Sequence, residues 1–383
     1  MLSEDTLKYQ IIETDRQLQE AAKTLLSQKS IAVDLEADSM YHYQEKVCLL
    51  QLFADDTVLI VDPLAVPDLS VLKPVFSDPA IRKVFHGADY DIRSLYRDFK
   101  IKVDHLFDTQ LAIRFLGDTE TGLDAVLSKY FGVDLDKKYQ KKDWSRRPLS
   151  EEMLTYAARD VLYLIPLANL LEQKLQQNNR LFWVEEENRI LSRVRPNSIP
   201  QPEFFLSFKG AGHLPPRELE ILENLLKLRQ KMAFKKDRPP FKIMGSATLL
   251  SLVKNKPQTL QDLEKVKPLS SKQIRFYGPD LVRAVAVAME TPEEKLPRYP
   301  RRNAPTLKPV VRKRLKSLHD WREAAAARLN LDPALVCTKN LMAELAKANP
   351  GHVNELSRMN EMRLWQKAVF GEEIITALKG TAR

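Results

Sequence analysis

The sequence predicts an α/β domain followed by two copies of one small all-α domain. Three observations predict it. Short β-branched runs alternate with amphipathic stretches over residues 1–108. Beyond that point the apolar stretches carry helical spacing, and the part after residue 212 matches itself at an offset of 93 residues without a gap.

Taken in order, SIAVDLEAD, KVCLLQLFA, TVLIVD and IRKVFH read as strands, because β-branched and aromatic side chains suit a pleated, half-buried surface. Stretches such as DRQLQEAAKTLLSQ between them read as helices. After residue 108, FDTQLAIRFL, GLDAVLSKYFG, SEEMLTYAARDVLYLIPLANLLEQKLQ and FWVEEENRILSRV all repeat at 3.6-residue spacing, so helices close a sheet over residues 1–205. Two proline-bearing segments follow, RPNSIPQPEF at 195–204 and TPEEKLPRYPRRNAPTLKP at 291–309, and both read as linkers. They set off helical domains at 212–291 and 309–383. In these two, Leu222 matches Leu315, Arg229 matches Arg322, Ala233 matches Ala326, and Pro240 and Pro257 match Pro333 and Pro350. Chance alignment of helical leucines does not also align prolines and an arginine.

The 383 residues are 44% hydrophobic, which calls for two or three cores. Two cysteines, Cys48 and Cys337, exclude a disulfide framework or thiolate cluster and fit a reducing compartment. No stretch approaches the roughly 18 apolar residues that span a bilayer, so a cytoplasmic protein free of the membrane is expected. The net charge of +9 hides an asymmetry: residues 1–200 hold 26 Lys and Arg against 32 Asp and Glu, and residues 201–383 hold 34 against 19. A basic half of this kind suits a polyanion, since binding releases counterions condensed on its phosphates.

Three short motifs carry the chemistry. In IAVDLEAD, strand alternation puts Asp34 and Glu36 on one face, where like charges repel unless a cation or a proton lies between them. FHGADYDIRSLYRDF turns from a strand into a helix, with Asp89 and Asp91 in the first turn, where capping alone accounts for either. In LTYAARDVLYL, Tyr156 and Asp160 are four residues apart on one face of an apolar helix, and a buried carboxylate needs a partner.

Together these motifs resemble the DEDD exonuclease superfamily, in the branch whose third motif carries Tyr, with its ribonuclease H-like α/β domain. The segment 143–164, DWSRRPLSEEMLTYAARDVLYL, and the duplicated helical domains are similar to the ribonuclease D family and its tandem HRDC domains. The resemblance covers nearly the whole chain. It implies a 3′-5′ exoribonuclease acting on the single-stranded 3′ ends of RNA, transfer RNA precursors among them, with no obligate protein partner. It also implies two divalent ions, Mg²⁺ or Mn²⁺. Asp34 then bridges both, Glu36 and Asp160 complete the shell of the first ion, and Asp91 holds the second ion mainly through water. By the same carry-over Asp91 is selected over Asp89, while Asp38 and Asp108 stay outside the site. Tyr156 orients the attacking water, because a phenol with a pKa of about 10 is a poor base at pH 7.

The run KKYQKKDWSRR at 137–147 mixes cations with aromatic rings, a composition suited to a single strand. Lys141, Lys142, Trp144 and Arg147 are its candidate RNA contacts. An alternative reading is a 3′-5′ DNA exonuclease of the same superfamily, although no phosphate-binding G-x-x-x-x-G-K-[ST] loop of a helicase is present.

Overall fold

The computed structural model describes residues 8–196, 203–265, 269–300 and 307–380, so residues 197–202 and 301–306 of the two expected linkers lie outside the described residues. A six-stranded mixed sheet forms from β1 (Tyr9–Ile12), β2 (Ser30–Ala37), β3 (Val47–Ala54), β4 (Thr57–Val61), β5 (Arg82–Phe85) and β6 (Leu106–Asp108). Its order is β1-β4-β3-β2-β5-β6, and only β3 runs against its neighbours. Helices α1 (Asp15–Leu26), α2 (Lys73–Ser77), α3 (Asp89–Phe99), α4 (Thr109–Leu116), α5 (Leu123–Phe131), α6 (Glu151–Leu162), α7 (Leu164–Gln177) and α8 (Leu181–Leu191) cover it. Thr14 and Gln17 start α1 with a reciprocal capping box, and Ser150 caps α6 through the Met153 amide.

Strand alternation divides the core. Ile31, Val33 and Leu35 of β2 join one cluster with Leu18, Leu25, Ile92 and Leu95 from α1 and α3. Ala32 faces the other cluster, with Leu154, Ala157, Ala158 and Val161 of α6 and Leu167 and Leu171 of α7. Asp34 and Glu36 have the parity of Ala32, so they point towards α6.

The helical copies follow as α9 (Pro216–Lys236), α10 (Pro240–Ile243), α11 (Ser246–Asn255), α12 (Leu260–Lys265) and α13 (Ser271–Glu290), then α14 (Pro309–Leu329), α15 (Pro333–Val336), α16 (Lys339–Ala348) and α17 (Leu364–Lys379). A 3₁₀ turn at Val353–Arg358 takes the place of α12 in the second copy. The offset of 93 holds residue for residue at the start of every one of these elements. It extends to the left-handed residues that end the helices, Asp237 with Asn330 and Lys256 with Asn349. The matched prolines explain themselves here, since Pro240 and Pro333 each open a short helix, where a missing amide proton costs nothing.

By packing, the chain forms two compact units. One comprises residues 1–37, 47–196 and 305–383, and the other residues 38–46 and 197–304. The second helical copy is therefore part of the sheet-containing unit. Trp365 of α17 stacks on Trp183 at 4.7 Å and meets the edge of Phe115 at 5.5 Å. Glu186 accepts the first amides of α17, from Leu364 and Trp365, and Arg363 pairs with Glu187 at 3.0 Å. The other unit closes around Phe205, Leu222, Leu225, Leu252, Leu281 and Val285.

Gly117, which ends α4, has φ +94°, and a Cβ there falls 2.3 Å from the carbonyl oxygen of Asn330 in the second copy. Gly132 has φ +67° with open space around it. Gly117→Ala is therefore expected to cost about 3 kcal/mol through backbone strain and overlap together, and Gly132→Ala about 1 kcal/mol through strain alone. Thermal melts of the two variants check this, and equal losses would show that the Asn330 contact contributes nothing.

Candidate active site

The site forms at the C-terminal end of β2. Asp34 pairs in register with Gln51 of β3 and Glu36 with Leu49, after which the register slips between Glu36 and Ala37. Such a bulge re-aims the side chain beside it. Across from the strand, α6 presents Tyr156 and Asp160 from one face. Carboxylate oxygens of Asp34, Glu36 and Asp160 all lie within 4.8 Å of one another.

Asp91 arrives from the second motif, in the first turn of α3 just after the turn that leaves β5. Gly87 takes φ +77° there, a conformation that favours glycine. His86 is held between Thr109 Oγ1 and the Thr121 carbonyl, both at 2.9 Å. Asp108 organises the same turn: its carboxylate accepts the amides of Gly87 and Ala88 as well as those of Gln110 and Leu111 at the start of α4. Asp91 is buried, and its charge faces Asp34. Asp89, two residues earlier, is exposed and pairs with Arg93 at 2.7 Å. Asp38 is buried and accepts the Lys46 amide at 2.8 Å.

Burial first, and for Glu36, Asp91 and Asp160 the charges of neighbouring acids next, make each of these carboxylates hold its proton unusually tightly. Burial pushes Asp34 up to about 7. Burial and then the charges of Asp34, Asp160 and Asp91 push Glu36 well above the carboxylate range. Asp91 and Asp160 are raised by burial first and by Asp34 next. Burial and the neighbouring acids likewise raise the Tyr156 phenol above its ordinary value, so it stays protonated and donates its hydrogen bond to Asp160. A half-buried set of oxygen donors that repel one another fits a hard divalent cation, whose charge removes the repulsion.

Two expected RNA contacts need correction. Trp144 is only 1% exposed, so no base can stack on it. Its ring lies 6.1 Å from that of Tyr156, and with Tyr139 at 5.9 Å it walls the phenol in place. Arg147 donates to Asp62 at 2.5 and 2.7 Å and to the carbonyls of Cys48, Trp144 and Arg146. A guanidinium committed to five protein acceptors is a strut of the fold. Lys141 and Lys142 are both exposed.

Two features were not anticipated from sequence. A groove of about 320 Å³ runs beside the site, lined by Leu135, Lys138, Tyr139, Tyr156, Arg159 and Asp160. The adjacency of Arg159 to Asp160 and of Lys138 to Tyr139 is the signal that could have marked it. Gln51 is fully buried on the sheet face that carries Asp34, and neither of its amide atoms has a hydrogen-bond partner among the described residues. A lone glutamine within an apolar strand, LLQLF, is the corresponding sequence signal.

A 3′-5′ exonuclease family model matches residues 9–176, and an HRDC domain model matches twice, at 218–285 and 311–378. Ribonuclease D of Escherichia coli K12 is 30% identical over 292 residues, which is 76% of this chain and 78% of that protein. The crystal structure of Escherichia coli RNase D, an exoribonuclease involved in structured RNA processing, superposes with a TM-score of 0.72 at 25% identity, covering 97% of this chain and 99% of that one. The catalytic core of RRP6 from Trypanosoma brucei superposes with a TM-score of 0.67 at 32% identity, covering 75% and 81%.

Proposed function

The chain belongs to the ribonuclease D family, and from that premise we propose that it trims transfer RNA precursors in the cytoplasm from their 3′ ends, using two ions of Mg²⁺ or Mn²⁺ held by Asp34, Glu36, Asp91 and Asp160. It is a hydrolytic 3′-5′ exoribonuclease that depends on a divalent metal. Among the described residues no helix is long and apolar enough to cross a membrane.

The observation that carries the site assignment is the approach of the Asp34, Glu36 and Asp160 oxygens to within 4.8 Å. When bound, divalent ions supply an acidified water and neutralise charge on the phosphate. The protein's own groups do the rest. The four carboxylates fix where such charge can sit. Tyr156 keeps its proton and serves as a hydrogen-bond donor beside Asp160, placed to orient the water that attacks. The groove of Tyr139, Lys138 and Arg159 receives the last nucleotides of a single strand through ring and phosphate contacts, and the exposed Lys141 and Lys142 add two further cations on the loop that carries Lys138.

The carboxylates do not read the 2′-hydroxyl, so the choice of RNA over DNA lies in the groove. The test uses a 5′-labelled transfer RNA precursor with a short 3′ extension and a DNA strand of the same sequence, each with Mg²⁺, Mn²⁺ or EDTA. The expected result is a ladder shortening one nucleotide at a time from the RNA 3′ end up to the folded stem, abolished by EDTA. Internal cuts or cleavage in EDTA would overturn the mechanism. Faster shortening of the DNA would move the substrate assignment to the alternative.

A further inference from the structure

We infer that Gln51 is a positioning residue for the metal centre. When a divalent cation occupies the cluster of Asp34, Glu36 and Asp160, the Gln51 carboxamide donates a hydrogen bond to the Asp34 carboxylate and fixes the plane of that group. The inference rests on the reading of Asp34 as a metal ligand and names what holds that ligand in place.

Gln51 lies where folding alone favours an apolar side chain. It is in the middle of β3, VCLLQLFA, and every residue of that strand is buried. Its own exposure is 0%, and neither its amide nitrogen nor its amide oxygen has a hydrogen-bond partner among the described residues. Burying a carboxamide with both atoms unpaired works against folding, and a methionine or leucine would fill similar space without that cost. In folded proteins such groups are few, and a place beside a reaction centre is one reason they persist.

The strand register names the group it serves. Gln51 is paired across the sheet with Asp34 of β2 on one side and with Ile60 of β4 on the other. Directly opposed residues on one face stand about 4.5–5.5 Å apart at Cβ, a gap that a glutamine side chain spans. Leu49, Phe53 and Ile60, which share its face, belong to the apolar cluster closed by Leu154, Ala157 and Val161 of α6. Glu36 is opposed by Leu49, and Asp62, which follows β4, is committed to Arg147. Asp34 is thus the polar side chain that directly faces Gln51.

Asp34 also has use for a donor. Asp160 receives the Tyr156 hydroxyl, whereas the hydrogen bond that lowers Asp34 comes from the backbone of Leu35. The terminal torsion of an aspartate is broad, so its rotamer does not fix the carboxylate plane. Ligating carboxylates are ordinarily hydrogen-bonded in turn, and loss of such a partner costs about 10- to 100-fold in metal affinity or activity. The pairing is a property of the loaded site. It satisfies a donor that folding leaves unpaired, and that gain adds to cation binding.

The test replaces Gln51 in the full chain by methionine, which keeps the length of the side chain and removes the amide. Binding of Mn²⁺ alone is followed through the paramagnetic signal of the free ion, with no RNA present. Gln51→Met should bind Mn²⁺ about tenfold more weakly or worse, and in EDTA it should melt no lower than the parent. At saturating Mn²⁺ its kcat should fall about tenfold on single-stranded RNA while KM for the RNA stays at the parent value. Gln51→Leu should lose ion affinity likewise, which guards against a packing defect peculiar to methionine. In an Asp34→Asn background Gln51→Met should change Mn²⁺ affinity less than about twofold, because the group it acts through is gone. Equal losses in both backgrounds overturn action through Asp34, and so does parent-like Mn²⁺ affinity in Gln51→Met. A variant that melts well below the parent in EDTA and binds Mn²⁺ as the parent does makes the amide an element of the fold and also overturns the inference. Asp34→Asn that binds Mn²⁺ as tightly as the parent would instead bring down the ligand reading, and this inference with it, by a result that no Gln51 variant produces.

Discussion

Asp34→Asn is expected to lower RNA turnover at least about a thousandfold, roughly 4 kcal/mol of transition-state stabilisation, and at the same time to make the metal-free protein more stable at neutral pH. Both follow from its place between the other acids. Asp34 shares the 4.8 Å cluster with Glu36 and Asp160, and its charge is among the causes that raise Glu36, Asp91 and Asp160. In the folded chain its own carboxyl is pushed up to about 7, against about 3.9 when unfolded. The folded state thus binds this proton more tightly than the unfolded state. The metal-free protein loses stability as pH rises from about 4 to about 7, and the loss is complete above that. An asparagine carries no such charge, so the variant should gain about 4 kcal/mol over the parent at pH 8 in EDTA and almost nothing at pH 4. Mg²⁺ should reverse the order at pH 8, because it binds the folded parent and not its unfolded chain. Melting curves of both proteins at the two pH values, with EDTA or Mg²⁺, check this. A parent whose melting temperature is indifferent to Mg²⁺ at pH 8 would remove the carboxylates from metal binding.

This dual effect shows why part of the site could be read from sequence. Asp34 and Glu36 sit on a strand whose period of two is visible in IAVDLEAD, and Tyr156 and Asp160 on a helix whose period is visible in LTYAARDV. Local geometry then dictates which side chains share a face. What local geometry does not dictate is how deep a side chain lies. Trp144 and Arg147 occur in a run that reads as an exposed basic loop, yet Trp144 is buried against Tyr156 and Arg147 is consumed by Asp62, a partner 85 residues earlier. Gln51 was hidden for the same reason, because its position opposite Asp34 depends on the β2–β3 register and not on any neighbour in sequence.

The helical half divides in the same way. The offset of 93 is a property of sequence, and the structure repeats it element by element. The packing of the second copy into the sheet-containing unit depends on Trp183, Glu186 and Glu187 of α8 meeting Trp365 and Arg363. Those pairs are nearly 180 residues apart and carry no shared motif. The two copies thus keep one fold while their surfaces diverge: one carries Trp365 into the core of the catalytic unit, and the other carries Phe234 and Phe276 on its exterior.

Tyr156→Phe is expected to reduce kcat about a hundredfold while leaving metal binding, RNA affinity and the fold within a small factor of the parent. The ring remains, so its contacts with Trp144 at 6.1 Å and Tyr139 at 5.9 Å remain. Only the hydroxyl is lost. In the parent, burial and the charges of Asp160, Glu36 and Asp34 hold that hydroxyl protonated across the working pH range. A general base would have to give up its proton near neutrality, so the parent should show no alkaline limb belonging to Tyr156. The hydroxyl also acts on Asp160, since its hydrogen bond lowers that carboxyl against the upward pull of burial. Removing it should make Asp160 hold its proton more tightly, and the acidic limb of kcat/KM should move to higher pH in the variant. A residue that merely filled space would change neither kcat nor the limb. Unchanged turnover in Tyr156→Phe would exclude the phenol from the mechanism, and an acidic limb that stayed in place would sever its link to Asp160.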